Sequence, residues 1–347
     1  MNRKLLLLFS ALTVSACSSF GYYMDLMAGH SELLEHRKPV TEIIADKDTS
    51  SILRNLLTKS QKIRNFASKM LYLPENDSYR MYADIKRRYA VWNVVATEEF
   101  SVEPKKWCFI FVGCLSYKGY FSKEDATNYA NELKAEGYDV YIAGANAYST
   151  LGWFDDPLLN TMMYKSEANR AGIIFHELAH QVVYIENDSA FNEAFATAVE
   201  HEGIRRWMRE KGEDGEYQKY LANKKRDSEI NQLLQETRKK LEKLYKTKAS
   251  KEEKRKQKKI ILSLMQQQYD RLKKSWSGYS AYDVWMKQEI NNSHLALIAT
   301  YHDLVPTFKS ILEKENYDLK RFYASVKKYG ELDKKNRSLQ LKQLAKK

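Results

Sequence analysis

Residues that form tight turns are scarce in this chain, and their scarcity restricts the possible folds more than any other feature of the sequence. The 347 residues include only 13 glycines and 5 prolines. All-β sandwiches and barrels need turn residues about every 8 to 12 positions, far more than this chain contains. Because 44% of the residues are hydrophobic, the chain is apolar enough to bury a core. The sequence therefore predicts a helix-rich α+β fold.

The spacing of apolar residues predicts helices with a small sheet between them. Residues 51–71 carry apolar side chains three and four positions apart, the spacing of one buried helix face. Residues 91–118 are rich in Val, Trp, Phe, Tyr and Ile, which predicts two or three strands. Residues 124–137 predict a helix, and the apolar run 138–143 predicts another strand. This order of strand, helix and strand indicates a small mixed sheet.

A long charged segment follows two further predicted helices. Residues 166–186 and 190–211 predict these helices, and residues 187–189, between them, are of types that favour helix N-termini. Residues 218–274 are charged and strongly helix-forming, with a break near 247–250. We expect two antiparallel helices that form a projecting hairpin, inserted into a single unit spanning residues 17–347.

The positive charge of the chain is concentrated in this predicted hairpin. The formal net charge is +12, and residues 238–259 alone contain 12 basic and 3 acidic residues. The remainder is nearly neutral and contains no RNA-binding signature, zinc finger or basic zipper. We therefore expect no nucleic-acid partner. A basic hairpin tip is most often a solvated face, and contact with anionic lipid head groups is the alternative.

The first residues have the pattern of an exported precursor. Arg3 and Lys4 are followed by a short apolar stretch and by small residues before Cys17. The tetrapeptide that ends at Cys17 resembles a bacterial lipobox, which implies removal of signal peptide 1–16 and lipidation of Cys17. Ser18 is not the Asp that favours inner-membrane retention in enterobacterial lipoproteins. We expect a lipid-anchored protein of the cell envelope, at the outer membrane and facing the periplasm.

Cys108 and Cys114 stand six residues apart in an apolar segment. An exported protein lies in a compartment that permits disulfides. This pair can bridge only if the chain turns near Gly113, because two side chains six positions apart on one extended strand are too distant for a disulfide bond. The sequence leaves a disulfide and two buried thiols as equal alternatives.

Residues 173–180 contain the motif that specifies chemistry. His176 and His180 are four residues apart, so a helix places both imidazoles on one face, within reach of one metal ion. Glu177 lies beside them, where it can accept a proton from water. This HExxH pattern is typical of zinc enzymes. Apolar residues flank the motif, so the helix is predicted to be buried, where two histidines without a metal would be costly.

A catalytic zinc site needs a third protein ligand and an open fourth position. Glu193 lies near the start of the next predicted helix, which can pack antiparallel on the first and turn this carboxylate toward the histidines. Only twelve residues separate Glu193 from His180. Residues 187–189 provide a turn short enough for that connection, so we expect Glu193 to be the third ligand.

The context of Glu193 also carries a resemblance. Residues 191–196, with the sequence Phe-Asn-Glu-Ala-Phe-Ala, resemble the helix that supplies the third zinc ligand in gluzincins, the thermolysin-like and alanyl-aminopeptidase-like enzymes. In those enzymes the third ligand stands further from the second histidine, at a separation that here would select Glu200 or His201. Context therefore favours Glu193, whereas spacing alone favours the later residues.

Eight segments spread over the chain carry a closer resemblance. They are Leu73-Pro74, Trp107-Cys108, 117–121, 147–153, 156–159, 175–181, 191–196, and Asn291-Asn292 with Tyr301. Together they are similar to a family of predicted zinc aminopeptidases from Gram-negative bacteria. The resemblance covers nearly the whole mature chain, and the charged hairpin is its least specific part. It implies a gluzincin-like fold, Zn²⁺ as the cofactor and peptides as substrates.

Two further segments are candidates for contact with substrate. Residues Tyr148 to Trp153 have the composition of an edge strand that binds a peptide backbone as an added strand, and Asp155 or Asp156 is placed to bind a substrate α-amino group. Tyr301 lies on a late helix, where gluzincins often keep a tyrosine or histidine that stabilises the oxyanion. Structural roles in capping and packing are the alternatives.

The sequence thus predicts a zinc-dependent peptidase, an aminopeptidase that hydrolyses peptides in the periplasm. His176, His180 and Glu193 hold Zn²⁺, and Glu177 acts as general base and then as proton donor. The alternative function is a lipid-tethered envelope scaffold with a structural zinc site. Glu177 discriminates between the two, because a structural site has no use for a base and normally has four protein ligands.

Overall fold

The computed structural model describes residues 21–109, 113–146, 155–299 and 304–344. These residues form a helix-rich α+β fold, as predicted, with three small sheets. The helices are α1 (residues 21–35), α2 (Val40–Ala45), α3 (Ser51–Leu71), α4 (Lys123–Ala135), α5 (Asn160–Met163), α6 (Glu167–His180), α7 (Ser189–Lys211), α8 (Asp214–Tyr245), α9 (Lys251–Ser275), α10 (Asp283–Met286), α11 (Asn292–Ala299), α12 (Val305–Lys314), α13 (Leu319–Gly330) and α14 (Lys334–Leu344). The strands are β1 (Arg37–Pro39), β2 (Met81–Ala83), β3 (Val91–Glu98), β4 (Trp107–Phe109), β5 (Gly113–Leu115), β6 (Lys118–Tyr120), β7 (Tyr138–Ala145) and β8 (Leu158–Leu159).

Helices α3, α6 and α7 make the centre of the core. The ring of Phe66 on α3 lies 6.0 Å from that of Phe175 on α6 and 5.1 Å from that of Trp207 on α7, between centroids. Helix α3 begins after Ser50, whose side chain caps its first turn, and it ends at Tyr72 in the left-handed region. Its bounds confirm the helix predicted from apolar spacing.

The C-terminal helices hold α7 from its other side. The rings of Phe191 and Phe195 on α7 lie 5.0 and 6.1 Å from the ring of Phe308 on α12. Arg337 of α14 is buried and forms a 2.7 Å ion pair with Asp188, which caps the first turn of α7. Both contacts fix the start of α7, which is the part of the helix that carries Glu193.

The largest sheet has β3 as its central strand. β3 pairs antiparallel with β6 on one side and with β7 on the other. Helix α4 covers one face of this sheet and packs Ala126, Ala130 and Leu133 against Val94 and Val140. Because α4 connects β6 to β7, this region has the predicted order of strand, helix and strand.

Two smaller sheets complete the fold. β2 pairs antiparallel with β1 and parallel with β8, so this sheet is mixed. β4 and β5 form an antiparallel hairpin in which Cys108 lies opposite Cys114, and these cysteines are joined by a disulfide bond. The chain reverses direction between them, which brings the two sulfur atoms together. The structure thus has the bridged alternative rather than two buried thiols.

The charged segment forms helices α8 and α9, which share an apolar seam. The residues buried in this seam include Leu233, Leu234, Leu241, Met265 and Tyr269. Ile260 and Leu264 of α9 lie outside this seam and are exposed, at 44% and 47%.

The expectation that this hairpin projects from the molecule is wrong. The apolar seam continues into Leu295 of α11, and two basic side chains of α9 are paired with the end of the large sheet. Arg255 lies 2.5 Å from a carboxylate oxygen of Glu99, and Lys258 lies 2.5 Å from one of Asp139. Part of the basic surplus therefore docks the hairpin on the sheet.

Across the described residues, no helix combines the length and the hydrophobicity that spanning a membrane requires. Cys17 and the signal peptide lie outside the described residues. The lipid anchor and the envelope location therefore stay predictions from sequence.

A buried histidine joins α11 to the large sheet. The ring of His294 stacks on Tyr141 of β7 at 4.0 Å between centroids and meets the edge of Trp285 at 5.6 Å. The Nε2 atom of His294 is buried without a hydrogen-bond partner among the described residues. Burial lowers the pKa of His294 to about 4. The folded protein therefore keeps this imidazole neutral at pH values where an unfolded chain protonates it.

We expect His294 to make folding stability depend on pH between 6.5 and 4. Because the pKa is about 4 in the folded protein and 6.5 for an unperturbed histidine, the unfolded state binds the proton first as the pH falls. The contribution is complete above pH 6.5 and is lost progressively toward pH 4, by roughly 3 kcal/mol at most. The substitution His294→Phe keeps a stacking ring and should flatten the pH profile of the unfolding free energy in urea. Identical profiles for both proteins would contradict this assignment.

Candidate metal centre

Small residues allow α6 and α7 to pack closely and antiparallel. A Cβ atom on Gly203 of α7 would lie 2.5 Å from Cδ2 of Phe175, and one on Gly172 of α6 would lie 3.0 Å from Cδ1 of Ile204. The N-terminal half of α6 thus faces the middle of α7, and its C-terminal end faces the start of α7. This is the antiparallel packing that the sequence predicts for the helices that carry the metal ligands.

The packing brings His176, His180 and Glu193 together. Nε2 of His176 lies 3.2 Å from Oε2 of Glu193, and Nε2 of His180 lies 3.7 Å from Oε1 of the same carboxylate. One candidate ligand atom from each of the three residues lies within 4.8 Å of the others. In the described part of the chain, this is the group of His, Cys, Asp and Glu side chains that could hold a metal ion.

The donor atoms fit a zinc ion in type and in spacing. Two imidazole nitrogens and one carboxylate oxygen are ligands that zinc prefers, at about 2.0 to 2.1 Å from the metal. Tetrahedral ligands at that distance lie about 3.3 Å from one another. The separations of 3.2 and 3.7 Å, which reach the two different oxygens of the Glu193 carboxylate, are close to this value, and all three ligand atoms lie within 4.8 Å of one another.

The connection between α6 and α7 explains how Glu193 reaches the histidines although only twelve residues separate it from His180. Helix α6 ends at His180 rather than continuing to Glu186 as predicted, and residues 181–188 consist of two turns with irregular chain between them. The side chain of Asn192 binds this connection at two points: its Oδ1 accepts from the Ile185 N–H and its Nδ2 donates to the Ile185 carbonyl, both at 2.8 Å. A helix that continued past His180 would carry the chain away from the site.

The structure places Glu200 behind a ligand rather than in the ligand group. Two turns after Glu193 on α7, its Oε2 lies 3.3 Å from Nδ1 of His176, and its Oε1 lies 3.2 Å from Nζ of Lys224. His201 lies on the next position of α7 and its ring is 6.4 Å from that of Tyr220. Spacing alone would therefore have selected an acidic residue that lies outside the candidate ligand group.

The electrostatics of the site favour a cation between the histidines and the carboxylates. Burial disfavours charge on His176, but contacts with Glu193 and Glu200 outweigh burial and hold the pKa of His176 well above its usual value. Burial, followed by the charge of His176, lowers the pKa of His180 to about 4. Burial also opposes charge on Glu200, yet contact with His176 and the charge of Lys224 hold its pKa well below its usual range. The site thus stabilises positive charge at His176, which faces the carboxylates of Glu193 and Glu200.

Three tyrosines near the site were not predicted from sequence. Burial and then the carboxylate of Glu193 raise the pKa values of Tyr117, in the turn before β6, and of Tyr184, after α6. Burial and then the carboxylate of Glu177 raise the pKa of Tyr79 well above its usual value. All three phenols therefore stay protonated and can donate hydrogen bonds.

Tyr117 reaches this region because the β4–β5 hairpin is tied to the connection between α6 and α7. The backbone N–H of Cys114 donates to Oδ1 of Asn187 at 2.8 Å. Gly113 has φ of 75°, and a Cβ atom there would lie 2.4 Å from the same amide oxygen, so only glycine fits. Tyr117 lies in one of the segments that carry the family resemblance, and that was the only sequence signal for it.

The remaining predicted residues divide into two groups. Tyr148 and Tyr301 lie outside the described residues. Asp156 is only 2% exposed, and its carbonyl accepts a hydrogen bond from the backbone of Tyr79 at 2.6 Å. Asp155 is exposed, and its carbonyl accepts from Arg37. The roles of Tyr148, Asp155 and Asp156 in substrate binding, and of Tyr301 in stabilising the oxyanion, stay predictions.

Comparison with known proteins identifies the family. Residues 21–341 match the model of a protein family described as "Putative aminopeptidase". The chain belongs to this family. No curated protein and no solved structure matches the chain. The description of the family indicates a peptidase, and the match spans all the elements that build the metal centre.

We expect Glu193→Ala to remove the metal. Two histidines would remain, so zinc affinity should fall far more than the roughly 10- to 100-fold typical of losing a residue behind a ligand. Zinc content after dialysis against a weak chelator measures the loss. Glu210→Ala, an exposed position on the same helix, is the matched control and should retain zinc. Retention of zinc by Glu193→Ala would remove this residue from the ligand group.

We expect Asn192→Asp to destabilise the connection between the ligand helices. The substitution replaces the NH₂ group that donates to the Ile185 carbonyl with an oxygen, so two acceptors face each other in a buried position. The unfolding free energy in urea should fall by about 1 to 3 kcal/mol. Asn223→Asp, at an exposed position of α8, should change it by less than about 0.5 kcal/mol. Equal effects of both substitutions would contradict this role.

Proposed function

We propose that this protein is a zinc-dependent peptidase of the gluzincin type that acts as an aminopeptidase. The observation that carries the proposal is the grouping of the His176, His180 and Glu193 side chains, with Glu177 on the same turn of α6 as the first histidine. The family match supports the peptidase class. The donor set and the spacing of its atoms support zinc.

Each residue of the site has a role that its chemistry allows. A Zn²⁺ ion held here supplies Lewis-acid catalysis, because it polarises a carbonyl oxygen and lowers the pKa of water. Glu177 accepts a proton from the attacking water and returns it to the nitrogen of the leaving amine. The phenols of Tyr117 and Tyr184 stay neutral under the influence of burial and Glu193, and a neutral phenol is a group that can stabilise negative charge on a substrate carbonyl oxygen.

A structural zinc site on an envelope scaffold is the competing function. Structural sites normally close the metal with four protein ligands, whereas the described residues supply three. The side chains of His176 and Glu193 are 18% and 27% exposed, so the ligand group is open in part to solvent. A carboxylic acid next to the first histidine is also unneeded in a structural site. These features favour catalysis.

Export and lipid anchoring complete the proposal. The N-terminal pattern that ends at Cys17 supports a protein held at the outer membrane, where its substrates would be peptides of the periplasm. The disulfide between Cys108 and Cys114 agrees with an oxidising compartment.

We expect Glu177→Gln to abolish peptide hydrolysis and to leave about one zinc ion per chain. The amide keeps the size of the side chain but cannot accept the proton, and Glu177 does not belong to the ligand group. The loss of kcat should reach at least the roughly 100- to 10,000-fold attributed to general acid–base catalysis. Hydrolysis of fluorogenic peptides and metal analysis of the same samples measure the two effects. Full turnover in Glu177→Gln would refute the proposal that this site hydrolyses peptides with Glu177 as the general base.

The same assay distinguishes aminopeptidase from endopeptidase activity. An aminopeptidase binds the free α-amino group of its substrate, so N-acetylation of a peptide should eliminate cleavage. Equal cleavage of free and N-acetylated peptides would agree with zinc peptidase activity but would contradict the aminopeptidase assignment.

A further inference from the structure

A carboxylate and an ammonium group lie behind the first histidine of the metal centre. Glu200 is held on α7, two turns after Glu193, and Lys224 is on α8, the first helix of the charged hairpin. One oxygen of Glu200 lies 3.3 Å from Nδ1 of His176, and the other lies 3.2 Å from Nζ of Lys224. The three side chains form a continuous row from the hairpin to the metal centre.

The geometry specifies which nitrogen of His176 carries a proton when a metal binds. Nε2 of His176 faces Glu193 at 3.2 Å and is the atom available to the metal. Nδ1 must then carry the ring proton, and it faces the carboxylate of Glu200. A carboxylate at this position selects the correct tautomer, orients the ring and increases the basicity of the ligand nitrogen.

Lys224 supplies the charge that a carboxylate in this place requires. The side chain of Glu200 is only 18% exposed, and a poorly solvated carboxylate needs partners for both of its oxygens. His176 faces one oxygen and Lys224 faces the other. The ammonium group of Lys224 also lies 5.4 Å from the centre of the Tyr220 ring, which is one turn earlier on α8 and helps to orient it.

The opposite helix leaves space for this arrangement. Gly172 lies one turn before His176 on α6, and a Cβ atom there would stand 3.2 Å from both Cγ and Oε1 of Glu200. A larger residue at position 172 would therefore push the carboxylate away from its two partners. The absence of a side chain at Gly172 is thus part of the same arrangement.

We propose that Glu200 and Lys224 are positioning residues for the metal centre, and that the charged hairpin tunes metal affinity through Lys224. The inference rests on the metal site of the proposed function. It assigns the hairpin a role at the site, because Lys224 on its first helix holds the carboxylate of Glu200, and that carboxylate orients His176.

The test compares zinc affinity across matched variants by competition with a chromophoric chelator. Glu200→Gln keeps the shape of the side chain and removes its charge. Lys224→Met removes the ammonium group, whereas Lys224→Arg keeps a cation. Lys225→Met is the control, because Lys225 is the next residue of α8 and its side chain is 79% exposed. Thermal unfolding of each metal-free variant shows whether the protein remains folded.

We expect Glu200→Gln to weaken zinc binding by about 10- to 100-fold. Lys224→Met should weaken it by a smaller factor, Lys224→Arg should restore affinity, and Lys225→Met should bind zinc as the unmodified protein does. The double variant with Glu200→Gln and Lys224→Met should bind zinc no more weakly than Glu200→Gln alone, because both residues act through the contact with His176. In the Co²⁺-substituted protein, Glu200→Gln should shift the visible absorption bands, which report ligand geometry and are insensitive to a merely structural role.

Several outcomes would overturn the inference. Unchanged zinc affinity and an unchanged Co²⁺ spectrum in folded Glu200→Gln would show that the carboxylate does not position His176. Equal losses in Lys224→Met and Lys225→Met would reduce the effect of Lys224 to general surface charge. If the unmodified protein binds zinc but hydrolyses no peptide, the proposed peptidase activity is wrong. The zinc affinities of the variants then still decide whether Glu200 and Lys224 are positioning residues. If the unmodified protein binds no zinc, both fail.

Discussion

The close antiparallel contact between α6 and α7 is the constraint on which the rest of the structure depends. It places the end of one helix beside the start of the other, and so brings His176, His180 and Glu193 within bonding distance of one ion. The contact needs glycine at two places, because side chains there would meet the opposite helix. The aromatic layers from α3 on one side and α12 on the other hold both helices in this position.

Part of the surplus of positive charge serves contacts within the chain, which the net charge alone does not indicate. A net charge of +12 invites comparison with proteins that bind nucleic acid, yet several of the basic side chains of the hairpin face acidic groups of the same chain. Arg255 and Lys258 contact Glu99 and Asp139 at the end of the sheet, and Lys224 contacts Glu200 at the metal centre. Charge in the hairpin thus attaches it at both ends, which is why it lies along the molecule.

Local patterns predicted the features that depend on local structure. The helix of residues 51–71, the strand after α4 and the pair of histidines on one helix face all follow from apolar spacing or from the geometry of a single helical turn. The end of α6 was predicted six residues too late, because residues 181–186 are compatible with a helix, and the hydrogen bonds that hold them in another conformation come from outside the segment, from Asn192 on the next helix and from Asn76. The projection of the hairpin was wrong for a similar reason: its contacts join residues more than a hundred positions apart. The tyrosines around the site carry no periodic signal at all.

The position of Glu193 in the candidate ligand group shows that sequence spacing alone is a poor guide to which carboxylate meets the histidines. The number of residues between the second histidine and the acidic residue gives only the length of the connecting segment. Metal binding depends instead on where the carboxylate lies in space. Here the connection is short and is held by the amides of Asn192 and Asn187, so Glu193 already reaches the histidines. Glu200, two helical turns or about 10 Å further along α7, cannot reach the same point and instead meets the other nitrogen of His176. One helix face thus supplies both the carboxylate of the candidate ligand group and the carboxylate that faces the other nitrogen of His176, and the length of the connection decides which residue lies in which place.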